Sequence, residues 1–170
     1  MQNAMMEMLD LVKTEYIIEF SPDNNCIPEQ LPEIVSKINE GYDMIVVSRY
    51  LGEATSEDDT LISGFGNWMF SKMIRYLGKF PVTDALTMYK GYKTSIPKER
   101  LFKKYLSTDL IYEPLLSAYS NLQNHKYIEI PGTEPARIGG VSTLPWFKAG
   151  LCISLFIVRL YLRKIFKITL

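Results

Sequence analysis

A strand, a helix and a second strand joined by short connections constrain this chain more than any other feature. Tyr16-Ile17-Ile18-Glu19-Phe20 is a short apolar run that reads as a buried strand, and it stops at the turn cluster Ser21-Pro22-Asp23-Asn24-Asn25. Pro28 opens a helix over 29–40, with acids in its first turn, where the helix dipole favours them. Gly41 ends that helix, and Met44-Ile45-Val46-Val47 is the next buried strand. Such a unit predicts a parallel strand pair inside an α/β domain.

The flanking segments predict a mixed sheet with covering helices. Residues 1–12 read as a helix with Met5, Met8, Leu9 and Val12 on one face, and they lack the basic start and long apolar run of a signal peptide. The acidic stretch from Tyr50 to Thr60 carries Glu53, Glu57, Asp58 and Asp59 and reads as a mobile loop. Helices are expected over 66–77 and 110–122, and strands over 84–92 and 126–130, the last ended by Pro131. A Pro/Gly-rich loop over 133–142 leads to one long apolar helix over 146–168. The expected organisation is an α/β domain over 1–144 and a separate helix within 145–170. The first helix has no strand before it, and the sheet is short, so the domain reads as truncated at its front.

Composition excludes several classes. With 47% hydrophobic and 22% charged residues the chain is of the folded type. Lys and Arg balance Asp and Glu at 19 each, so no bulk field draws it to nucleic acid. The basic exception is local: Arg159, Arg163, Lys164 and Lys167, with no acid among them. Cys26 and Cys152 read as free thiols, and the single histidine, His125, rules out a site built on a histidine pair. No Gly-x-Gly-x-x-Gly run supports dinucleotide binding.

The residue types suited to chemistry gather beyond strand ends, where open α/β sheets bind ligands. Asp23, with the amide oxygens of Asn24 and Asn25, is either an ordinary Asx-turn or part of a Mg²⁺ or Mn²⁺ shell completed by a diphosphate. Ser48 and Arg49 follow the second strand, and Arg49 is either a two-pronged phosphate clamp or the partner of the acidic loop. Asp84 begins a strand after Pro81-Val82-Thr83 and reads as a turn acid at its start. Arg137, in Pro135-Ala136-Arg137-Ile138-Gly139-Gly140, is a solvated loop arginine or a phosphate ligand. Glu113 opens a helix as a capping-region acid.

The order of these pieces resembles family 2 glycosyltransferases, in particular the dolichyl-phosphate mannosyltransferase-like branch. The matching stretches are Ser21 to Glu29, Gly41-Tyr42-Asp43, Val47-Ser48-Arg49-Tyr50, Asp84 to Lys90, Glu129-Ile130-Pro131 and Arg137 to Thr143. Ser21 replaces the first aspartate of the family's Asp-x-Asp motif, Asn25 replaces its glutamine, and Thr143 replaces a basic residue. The resemblance implies a GT-A, Rossmann-like domain that lacks the family's front strand and most of the nucleoside contacts. The chain alone is then expected to be inactive, with the front supplied by another chain or lost.

The same resemblance implies transfer of a sugar from a nucleotide-diphosphate donor to a polyprenyl or dolichyl phosphate. Asp23 and Asn25 would hold the metal, Ser48, Arg49 and Arg137 the phosphate, and Asp84 or Glu113 would serve as base if the acceptor were a hydroxyl. An acceptor phosphate is already ionised and needs none. The uncharged run Ala149 to Val158 is too short to cross a bilayer, so the last helix is expected to lie at the membrane interface on the cytoplasmic face. The alternatives are a buried terminal helix and a non-catalytic, membrane-docking remnant or partner subunit.

Overall fold

The computed structural model describes residues 2–21, 23–78, 81–106, 109–139 and 145–166. Pro22, the loop end Gly140 to Thr143, and Lys167 with Ile168 lie outside these, as do the side chains of Met5, Trp146, Arg163 and Lys164. The expected class holds: an α/β fold on a four-stranded mixed sheet, followed by a C-terminal helix.

The strands are β1 (Tyr16–Glu19), β2 (Met44–Ser48), β3 (Lys90–Lys93) and β4 (Tyr127–Pro131), in the order β1-β3-β2-β4. The expected direct pairing of the first two strands is corrected here. Both run the same way, but β3 lies between them, antiparallel to each. The parallel partner of β2 is β4, with Ile45 opposite Ile128 and Val47 opposite Ile130.

All five residues of β2 are buried. Its side chains alternate by strand geometry: Met44 and Val46 enter one core, Ile45 and Val47 the other. The first core is roofed by α3 (Leu61–Gly78), α6 (Tyr112–Leu122) and α7 (Trp146–Phe166). The second is covered by α2 (Leu31–Asn39) through Ile34 and Ile38. Gly91 on β3 permits this approach, because a Cβ there would stand 2.6 Å from Ile34 Cγ2. Gly41, at φ +81°, closes α2: its N–H reaches Ile38 O, and the N–H of Tyr42 reaches Lys37 O.

Two further expectations change. The strand expected from Asp84 begins only at Lys90, because the Asp84 carboxylate accepts the amides of Leu86 (3.2 Å) and Thr87 (3.1 Å) and folds a turn. The acidic loop is tied down rather than loose. Glu57 N–H donates to Glu134 O and Glu134 N–H to Thr55 O, both at 2.8 Å. A short α1 (Gln2–Leu11) precedes β1, and α4 (Ser95–Lys98) and α5 (Arg100–Tyr105) link β3 to α6.

Candidate active site

The carboxyl ends of β1, β2 and β4 open onto one corner of the molecule. Three loops meet there: the turn after β1, the acidic loop after β2 and the segment after β4. The acidic loop and the β4 segment are stitched by a parallel bridge between Ser56 and Glu134. The β4 segment reaches the first turn through Asn24 Nδ2 to Ala136 O (3.1 Å) and Ile138 N–H to Asp23 O (3.4 Å).

Asp23 sits in a local hydrogen-bonded turn. Its Oδ1 accepts from the Ser21 hydroxyl and from Asn25 N–H (3.3 Å), and its Oδ2 faces Arg137 Nη2 at 3.6 Å. The Ser21 hydrogen bond holds this carboxyl below its ordinary value, helped by the Asn25 amide and the Arg137 charge. Asn25 Nδ2 donates to Asp58 Oδ2 (3.0 Å) and Glu134 Oε1 (3.3 Å). Arg137 Nη2 donates to the same Asp58 oxygen at 3.3 Å. Asn25 and Arg137, expected from sequence and far apart along the chain, therefore meet at one atom. Each also keeps a buried polar atom without a partner, Asn25 Oδ1 and Arg137 Nε. A buried orphan acceptor and a buried orphan donor on two residues that share one partner are costly unless a ligand satisfies them.

Arg49 uses its fork internally. Nε donates to Asp84 Oδ2 at 2.7 Å, Nη2 to Asp84 Oδ1 at 3.0 Å, and Nη1 to Glu134 Oε2 at 3.1 Å. Burial works to raise the Asp84 pKa, but the Arg49 charge and hydrogen bonds outweigh it and hold the carboxyl below its ordinary value. Asp84 is fully buried, and Arg49 nearly so. The Ser48 hydroxyl, also buried, is shared with Thr83 Oγ1 at 2.6 Å. In this arrangement Ser48, Arg49 and Asp84 brace the loops, and each Arg49 nitrogen has a partner while Arg137 keeps its buried Nε without one.

Glu113 lies in a second charged cluster under the sheet's end. Its Oε2 accepts from the fully buried Lys90 Nζ at 2.5 Å. Lys90 stands opposite Glu19 across the strand pair, and Glu19 Oε1 accepts from the Tyr92 hydroxyl at 2.5 Å. Burial first, then the charge of Glu113, pushes the Glu19 carboxyl well above its ordinary value.

Several members of these clusters were not singled out as site residues from sequence: Glu134, Asp58, Lys90 and Glu19. Only the acid-rich composition of the 50–60 loop and the Glu134-Pro135-Ala136-Arg137 run signalled the first two.

Open α/β sheets of this kind, with ligand-type loops gathered at strand carboxyl ends, define a class that binds substrates in that crevice. Residues 1–101 match the family model described as glycosyl transferase family 2, and the chain belongs to that family. Asp23, Asn25, Ser48, Arg49 and Asp84 lie inside the match, and Glu113 and Arg137 beyond it. No curated protein matches the chain.

Members of this family commonly use a divalent metal. Among the described residues no three His, Cys, Asp or Glu side chains converge to cage one. The chemistry still fits an ion that arrives with a diphosphate. Asp23 Oδ2 faces Arg137 Nη2 at 3.6 Å, Asn25 Oδ1 is an orphan oxygen, and acids outnumber arginines in the corner.

Proposed function

We propose that this chain serves transfer of a sugar from a nucleotide-diphosphate donor to a lipid phosphate of the polyprenyl or dolichyl type, at the cytoplasmic face of a membrane. The observation that carries this reading is the pair of buried, unpartnered atoms, Asn25 Oδ1 and Arg137 Nε, beside Asp23. Together they form a corner with one donor and one acceptor left for a ligand.

Asp23 and Asn25 would hold Mg²⁺ or Mn²⁺, which when bound neutralises charge on the departing diphosphate. Arg137 binds a phosphate oxygen through its free Nε while Asp58 keeps the guanidinium oriented. Arg49 acts one step removed, fixing Asp84 and Glu134 so that the three loops keep their register. An ionised acceptor phosphate attacks the sugar without a base, which agrees with Asp84 being sealed behind Arg49. Were the acceptor a hydroxyl, Glu113 would be the remaining base, and Lys90 would hold it in place.

β1 lies at one edge of the sheet, with β3 as its only strand neighbour among the described residues. A separate chain carrying further strands would pair along that edge. A second reading, a non-catalytic partner subunit, is favoured by the complete internal pairing of Arg49 with Asp84.

The test is transfer of labelled sugar from a panel of nucleotide sugars to polyprenyl phosphate. It uses the purified chain alone and the chain supplemented with extract from its own cells. Arg137→Ala should lower the turnover seen with the extract by about 100-fold, the scale of losing one charge-stabilising donor. Unchanged turnover in that variant would return Arg137 to a loop brace and favour the non-catalytic reading.

A further inference from the structure

From the packing of α3 against α7 we infer that these two helices together form one docking face for an anionic lipid surface. The inference rests on the proposed interfacial role of the last helix and adds a second helix, distant in sequence, to it.

The two helices pack along each other, with Gly150 of α7 facing the Phe70 ring of α3. Both turn one side into the same core, through Ile74 of α3 and Ile153, Phe156 and Ile157 of α7. On α7, Phe147, Leu151, Leu155, Val158 and Leu162 recur at spacings of three and four, opposite those core residues, and all are exposed. On α3, Leu61, Phe65, Trp68 and Tyr76 form the equivalent stripe, again exposed and opposite Ile74. Leu61 is 95% exposed and Phe147 80%, values that no water-facing role explains. Because both helices share a core and touch each other, their outward stripes lie on one side of the molecule.

Charge selects the occupant. The two helices carry Lys72, Arg75, Lys148, Arg159, Arg163 and Lys164 and not one acid, although the chain has as many acids as bases. Lys72 Nζ sits over the Trp68 ring at 5.6 Å, an arrangement of aromatic body and cationic tip suited to the headgroup layer. A second copy on the same face would set cations such as Lys72, Arg75, Lys148 and Arg159 against their own counterparts, with no acid on either helix to offset them. An anionic bilayer meets both the apolar stripes and the cations. Among the described residues no helix is long and apolar enough to cross a membrane, so the face lies on the surface.

Flotation with phosphatidylcholine vesicles, with and without phosphatidylserine, tests this on the full chain. Two exposed-surface variants separate the claims: Leu61→Gln/Phe65→Gln/Trp68→Gln on α3, and Leu151→Gln/Leu155→Gln on α7. Each should weaken binding to phosphatidylserine vesicles at least about tenfold, since several large apolar side chains lose their burial. In a Trp146→Phe protein, Trp68 emission should shift to the blue when vesicles are added. An α3 variant that floats like the parent while the α7 variant does not would overturn the two-helix face and leave the α7 reading intact. A parent chain that ignores vesicles but dimerises, with the dimer lost in the α3 variant, would overturn both.

Discussion

Removing the Arg49 guanidinium leaves Asp84 buried with its charge unmatched. Arg49→Ala should therefore cost about 3–5 kcal/mol of stability in urea unfolding, the scale for breaking one side of a buried pair. Arg49→Lys should recover only part of it, because an ammonium replaces one prong of two. A loss below about 1 kcal/mol for the alanine variant would mean the pair is solvated. Glu19 gives a pH prediction. Its folded-state pKa is raised by burial and by Glu113, so the folded protein keeps that proton to a higher pH than a free carboxyl does. The stability this proton contributes is present below the ordinary carboxylate range and is lost as pH rises through the raised folded value. Glu19→Gln cannot ionise, so its Tm should gain on the parent's as pH is raised through the range above the ordinary carboxylate value. A constant Tm difference across that range would contradict the assignment. At this scale the sequence named Asp23, Asn25, Arg49, Asp84 and Arg137, and of their partners only the acidic loop for Arg49, whose Nη1 stands 3.9 Å from Asp59 Oδ2. That Asp84 would spend Arg49's fork, or that Asp58 would join Asn25 to Arg137, depends on loops that meet only in three dimensions.

The helices and strands around the second core meet at Gly91. A methyl there would push into Ile34, so Gly91→Ala should lower stability by about 1–3 kcal/mol in spite of its better strand propensity. Gly139→Ala, with nothing within 4 Å, should stay within about 0.5 kcal/mol of the parent and serves as the control. Equal effects from both substitutions would remove α2 packing as the cause. Most elements were legible because each carries its own period and punctuation. Pro28 opens the turn into α2, Gly41 closes it, and Pro131 is the last residue of β4. The central antiparallel strand was legible as a strand, though from Asp84 rather than Lys90, and its place between β1 and β2 was not. Lys90-Gly91-Tyr92-Lys93 has a buried lysine where an apolar residue is expected, and its burial depends on Glu113 from a distant helix. The direct pairing of β1 with β2 failed for the same reason. Periodicity reports that strands exist, not which strand inserts between them.

Across the whole molecule, charge is sorted although its sum is zero. Acids gather at the loop corner around two arginines, and cations without acids line α3 and α7. Family membership explains the sheet and the corner, and the proposed lipid-phosphate acceptor draws on the loops and the outward helix faces together. The C-terminal helix was legible as amphipathic, but its partnership with α3 was not, since α3 carries apolar residues on its exposed side as well, Trp68 and Met73 among them. The most direct test of the account uses membranes from cells carrying the parent chain, Asp23→Ala or Arg137→Ala, supplied with labelled nucleotide sugars. The account predicts label in the organic-extractable, phosphate-linked lipid fraction with the parent chain and a loss of about 100-fold in either variant. Equal labelling of that lipid fraction in parent and variant membranes would contradict it.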